Sequence, residues 1–114
     1  MSTPVVGTHV FMNVYDVDVS LLQSLNVGKV ISDKIVEQLQ LHVLDKTGHQ
    51  FEPQGYTQLY LLSESHYSIH TYPEFQSCYI DIFCCNKDFN PEYAVEIVRK
   101  HFMTKNIKYH VISR

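Results

Sequence analysis

The stretch Leu61-Leu62-Ser63-Glu64-Ser65-His66-Tyr67-Ser68-Ile69-His70-Thr71-Tyr72-Pro73-Glu74 gathers hydroxyls, two carboxylates and two imidazoles, and Cys85 follows eleven residues after Glu74. In an extended strand, residues of equal parity share a face, which lines up His66, Ser68, His70 and Tyr72. A serine beside positioned imidazoles and a thiol is raw material for nucleophilic catalysis. Metal chemistry suits these residues poorly. His66 and His70 are four apart, and a strand separates them by roughly 13 Å at about 3.3 Å per residue. Two ligands of one zinc must sit much closer. The chain has neither a C-x-x-C nor an H-E-x-x-H run, and Cys84 and Cys85, adjacent in a strand, point to opposite faces. No metal is expected.

Such a cluster needs a scaffold, and the hydrophobic periodicity supplies one. Alternation over residues 8–15 predicts a strand. Leu21, Leu22 and Leu25 predict a helical stretch over 16–26. Val30, Ile31, Ile35, Val36 and Leu39 predict a second over 29–40, with Gly28 bending or separating the two. Residues 41–44 read as a short strand and Asp45-Lys46-Thr47-Gly48 as a turn. Three strands follow over 55–62, 65–72 and 77–85. Asn90 is placed to cap a helix, Pro91 is preset for its first turn, and Glu92 complements its positive end. Tyr93, Ala94, Ile97, Val98, His101 and Phe102 then share one face, and residues 108–113 form a last strand. The order β-α-β-β-β-β-α-β predicts an α+β fold, a two-layer α/β sandwich with an antiparallel-rich sheet and two main helices on one face. The other face is left free for a partner subunit.

At 114 residues, 45% hydrophobic and 18% charged, the chain has a globular balance, and the length predicts one domain over residues 1–114. A net charge of −3 argues against nucleic-acid and anionic-membrane partners, which usually need a basic excess. No apolar run approaches a membrane span, and the opening MSTPVVGTH lacks a basic-then-apolar export signal. Three cysteines, Cys78, Cys84 and Cys85, do not make a secreted disulfide framework. These features predict a reduced, cytoplasmic protein.

The string from Ser63 to Glu74 resembles the processing motif of the prokaryotic-type S-adenosylmethionine decarboxylase proenzymes. Gly7-Thr8-His9 with Tyr15 and Asp18 is similar to that family's opening strand, and His49-Gln50-Phe51-Glu52-Pro53-Gln54-Gly55 to the segment before the processing strand. Asp81-Ile82-Phe83-Cys84-Cys85 resembles a family pattern ending in a catalytic cysteine, and the Pro91 helix follows at the family's distance.

The resemblance implies that the backbone is cut between Glu64 and Ser65, giving a β chain of residues 1–64 and an α chain of residues 65–114. Ser65 becomes a covalent pyruvoyl group. The chemistry explains the residue type: a serine hydroxyl attacks the preceding carbonyl to give an ester, loss of the α-proton eliminates the Glu64 carboxylate, and the dehydroalanine left behind hydrolyses to pyruvoyl and ammonia. The resemblance further implies His70 as the acid or base, an imidazole titrating near the working pH, and Thr57 as a hydroxyl that supports processing. Cys85 is implied to return a proton to the substrate α-carbon. Parity sets it with Asp81 and Tyr79 while Cys84 packs inward. Phe51 and Tyr72 resemble the pair that sandwiches adenine, and Glu74 the carboxylate that accepts ribose hydroxyls. The implied reaction converts S-adenosylmethionine to S-adenosylmethioninamine and CO2 for spermidine synthesis. The pyruvoyl serves as electron sink through a Schiff base, and the implied assembly is a homodimer of cleaved protomers.

Several departures keep other readings open. Tyr56-Thr57-Gln58 is bulkier than the family's run after Gly55, Phe75-Gln76-Ser77 replaces a Gly-aromatic pair, and Cys84 and Asn86 replace a common Thr and Gly. Arginine or ornithine is the alternative substrate, with Glu52 and Glu74 available to meet a distal cation. A non-catalytic homologue pairing with an active subunit is the third reading, against which stand intact Ser65, His70 and Cys85.

Overall fold

The computed structural model describes residues 3–114; Met1 and Ser2, which open the stretch read for an export signal, lie outside the described residues. Alternating apolar segments become β1 (Thr8–Val14), β2 (Val43–Gln50), β3 (Tyr56–Leu62), β4 (Ser65–Tyr72), β5 (Ser77–Cys84) and β6 (Ile107–Ser113). Helix α1 spans Leu25–Gln38 and α2 spans Pro91–Phe102, with short 3-10 turns at Val19–Leu21 and Pro73–Phe75. The strands form one sheet in the order β2-β3-β4-β5-β1-β6, and every neighbouring pair is antiparallel. This is the α+β sandwich that the element order predicts. Among the described residues no helix is long and apolar enough to cross a membrane.

Period two decides which side chains meet the helices. Val10, Met12 and Val14 of β1, Tyr67 and Ile69 of β4, and Ile80, Ile82 and Cys84 of β5 are buried with Ile31, Ile35, Ala94, Val98 and Phe102 of the helices. The intervening residues, among them His9, Phe11, His66, His70, Tyr79 and Phe83, line the opposite, open face, where their exposure is partial or greater. Strand β4 is held on both edges, and the buried Tyr67 hydroxyl shares a 2.8 Å hydrogen bond with Ser32 of α1. The middle of β4 is therefore fixed.

Local signals set the helix ends as expected. The Asn90 side chain accepts the Tyr93 N–H at 3.1 Å, Pro91 and Glu92 occupy the first turn, and Arg99, Lys100 and His101 sit at the negative end. Ser24 caps α1 in the same way, through the Asn26 N–H at 3.2 Å.

Three expectations are corrected. The stretch from 16 to 26 is not helical throughout: it holds only the 3-10 turn before α1 begins at Leu25. Gly28 neither bends nor separates two helices, because α1 runs straight through it; a Cβ there would lie 2.2 Å from Tyr56 Cζ. The glycine is a contact requirement. Asp45-Lys46-Thr47-Gly48 is not a turn but the middle of edge strand β2, paired with Leu61, Tyr60, Leu59 and Gln58. Its polarity reflects an edge that solvent covers along most of its length.

Gly28→Ala is expected to destabilise the fold by about 1–3 kcal/mol, despite alanine's better helix propensity, because the buried Tyr56 ring cannot retreat. A lowered denaturant midpoint at unchanged slope would show this; an unchanged midpoint would mean the contact is slack.

Candidate active site

At one end of β4 the chain turns from Leu62 to Ser65 through Ser63 and Glu64 alone. Ser65 has φ of +149°, a conformation strained for any residue but glycine and costing on the order of 1–3 kcal/mol. The peptide carbonyl of Glu64 accepts the Cys85 N–H at 2.9 Å. The pairing of Ser65 with Cys84 across the β4–β5 ladder creates that contact, delivering the next residue, Cys85, to the turn. Cys85 lies one residue beyond the strand end and is exposed, while Cys84 is buried, as parity predicts. Burial raises the Cys84 thiol, reinforced by the charge of Glu64.

The Glu64 side chain is nearly buried and is held by His42. One oxygen accepts the His42 N–H at 3.0 Å, and the other meets His42 Nδ1 at 2.5 Å. Burial opposes the Glu64 charge, but the His42 hydrogen bonds outweigh it, aided by those from the Glu64 amide and Ser63, and hold the carboxyl below its ordinary range. A lowered folded value stabilises above the ordinary range and is lost as pH falls through it, so the contact is complete near neutrality and fails only in acid.

The other end of β4 carries a different set. Thr57 faces His70 across the β3–β4 ladder, and its hydroxyl lies 3.0 Å from His70 Nδ1. Phe51, Gly55, Thr57, His70, Tyr72 and Glu74 are among the residues lining a cavity of about 320 Å³. Phe51 and Tyr72 are each nearly half exposed there, the first edge-on to His49 and the second edge-on to Tyr79. A second hollow of about 370 Å³ shares His70 and Tyr72 and adds Phe75 and Tyr79.

Two residues that the sequence reading passed over hold this end in place. The Gln50 side-chain amide donates to the carbonyls of Gln23, Phe51 and Gly55 at 2.9–3.0 Å, and its oxygen accepts the Leu25 N–H at 2.6 Å. Thr71 donates to the Leu22 carbonyl at 2.8 Å and accepts the Tyr56 N–H at 2.9 Å. Together they tie the loop carrying Phe51 to the start of α1. No spacing rule marks a glutamine or threonine for such a task.

The candidate residues thus fall into two groups, Glu64, Ser65 and Cys85 at one end and Phe51, Thr57, His70, Tyr72 and Glu74 at the other. Ser65 and His70 are five residues apart on one strand, about 16 Å at 3.3 Å per residue. One chain does not bring them together.

The family model described as S-adenosylmethionine decarboxylase matches residues 8–114. The chain belongs to the S-adenosylmethionine decarboxylase family. It is 31% identical over 110 residues to the S-adenosylmethionine decarboxylase proenzyme of Archaeoglobus fulgidus, covering 96% of this chain and 98% of that one. The proenzyme of Prochlorococcus marinus is 37% identical over 101 residues, 89% of this chain and 81% of its own. The crystal structure of the adenosylmethionine decarboxylase of Aquifex aeolicus superposes with a TM-score of 0.90 at 26% identity, covering 98% of this chain and 92% of that one. Both halves of the candidate site lie inside the segment shared with this decarboxylase family.

Proposed function

We propose that the chain is a self-processing, pyruvoyl-dependent decarboxylase that converts S-adenosylmethionine to S-adenosylmethioninamine and CO2 for spermidine synthesis. The observation that carries this reading is the held Glu64 carbonyl beside a strained Ser65. The relatives described above are all named for S-adenosylmethionine, so arginine and ornithine are not favoured as substrates.

The residues present fit a serine-derived keto terminus. Ser65 heads β4 directly after a two-residue turn, so the strand can begin there as a chain end without losing its ladders. In the proposed processing, Ser65 Oγ bonds to the Glu64 carbonyl carbon, and the negative oxygen that develops is met by the Cys85 N–H. The carbon–nitrogen bond breaks, the nitrogen takes a proton, and an ester joins the two residues. Removal of the Ser65 α-proton expels Glu64 as a carboxylate; water then adds to the unsaturated residue and ammonia leaves. The finished pyruvoyl supplies an electron-poor carbonyl that accepts the electron pair freed as CO2 departs.

The remaining side chains bind, orient and move protons. Phe51 and Tyr72 take the adenine between their rings, and Glu74 accepts ribose hydroxyls while favouring the substrate's positive sulfur. Thr57 fixes the His70 ring through Nδ1 and leaves Nε2 to exchange a proton. The Cys85 thiol protonates the α-carbon.

Because His70 cannot reach Ser65 of its own chain, we assign each working site to two copies in a homodimer of cleaved protomers. A two-fold pairing of open faces sets the Ser65 end of one β4 against the His70 end of the other. Leu59, Leu61, Tyr72 and Ile112 stand 43–55% exposed on that face, an apolar surface suited to a partner. The three free cysteines suit a reducing cytoplasm.

Cys85→Ser tests the division of labour at the cleavage end. The Glu64 carbonyl is met by the backbone of Cys85 and not by its thiol, so self-cleavage should stay near the wild-type rate. Turnover should fall about 10²-fold or more with loss of the proton donor. Equal loss of both activities would overturn the assignment. Mass analysis under denaturing conditions tests the cleavage itself: the fragments should be residues 1–64 and 65–114.

A further inference from the structure

Beside the cleavage turn stands His42, which neither the motif nor its spacing singles out. It lies between α1 and β2, 22 residues before Glu64, with a side chain 75% exposed. It nonetheless touches the cleavage turn three times. Its carbonyl accepts the Ser63 N–H at 2.9 Å, its N–H donates to Glu64 Oε1 at 3.0 Å, and its ring Nδ1 meets Glu64 Oε2 at 2.5 Å. A mostly solvent-exposed ring has little packing reason to be held so closely. The partner it holds is the residue whose peptide bond is to break.

We propose that His42 is a positioning residue for self-cleavage, acting through the Glu64 side chain to keep the strained peptide aligned for attack by Ser65. The inference rests on the cleavage reading above and deepens it.

The geometry gives the reason. The strain at Ser65 can be released in two ways, by rotation of the short turn or by breaking the Glu64–Ser65 bond. Rotation swings the Glu64 carbonyl away from the Cys85 N–H and removes the donor that meets the developing negative oxygen. Grasping Glu64 by its side chain on one flank and by its carbonyl on the other blocks that rotation. Cleavage is then the release that remains. His42 is not among the residues lining the cavity with Phe51, His70 and Glu74. Its contacts at the cleavage turn are to Ser63 and Glu64, the part of the chain that the cut separates from Ser65, so its effect is expected on the cleavage rate.

The test uses full-length chain purified soon after synthesis, comparing wild type, His42→Ala and His42→Asn. Asparagine's amide nitrogen lies where Nδ1 does and restores a donor to Glu64. Two readings are taken, the rate at which fragments 1–64 and 65–114 appear and the turnover per hydrazine-reactive carbonyl in the protein already cleaved. His42→Ala should cleave roughly tenfold to a hundredfold more slowly, the factor attached to losing a hydrogen bond to a charged group. His42→Asn should recover most of that loss, and turnover per carbonyl should be unchanged in both. Cleavage of His42→Ala at the wild-type rate would overturn the proposal. So would an Asn variant as slow as the Ala variant, or a parallel fall in turnover per carbonyl. If wild type itself never cleaves, the failure belongs to the processing reading.

Discussion

Ser65→Ala protein is expected to remain a single chain of 13.3 kDa, to fold, and to show no decarboxylation above background. The substitution removes one oxygen and leaves the strand pairing of position 65 with Leu62 and Cys84 intact. That oxygen is nonetheless both the proposed nucleophile and the atom through which Glu64 is expelled. Wild-type protein should yield an α chain that reacts with hydrazines and gives no reading on N-terminal sequencing, because a keto terminus has no amine. A contaminating protease cutting at the same place would leave a readable serine. Persistence of the cut in Ser65→Ala, or an amine at the new terminus of wild type, would defeat the pyruvoyl account outright.

The second large effect concerns mixtures. Ser65→Ala and His70→Ala should each be inactive alone, yet co-expression of the two should restore about a quarter of wild-type sites. Random pairing makes half of the dimers mixed, and each mixed dimer holds one site with both residues intact. If every site were built within one chain, no pairing could restore activity. The 16 Å along β4 makes the first outcome the expected one. A mixture as dead as its components would remove the shared site.

Much of this was legible in the residues because the governing signals are local. Strand β4, at Ser65–Tyr72, needs only period two, and its open-face line of His66, Ser68, His70 and Tyr72 follows directly. The start of α2 needs only Asn90, Pro91 and Glu92. The misreadings share a different cause. Gly28 looked like a breaker because its partner, Tyr56, is distant in sequence and the missing Cβ matters only once the two meet. Asp45 to Gly48 looked like a turn because an edge strand has no buried side to betray it. The division of the site into two groups was hidden for a related reason. Parity tells which face a side chain takes but not which end of the strand carries the reaction. His42 belongs to no pattern and acquires its role only when the α1–β2 connection folds against the turn.

The strand order has an outcome for the life history of the molecule. Residues 1–64 contribute β1, β2 and β3, and residues 65–114 contribute β4, β5 and β6, yet in the sheet β1 lies between β5 and β6. The two pieces are plaited through each other, so a severed molecule does not fall apart while it is native. Once denatured in dilute solution, however, the pieces must find each other by collision, whereas the uncut precursor carries both on one tether. The proposed cut would therefore make refolding concentration-dependent, whereas the precursor refolds as a single chain.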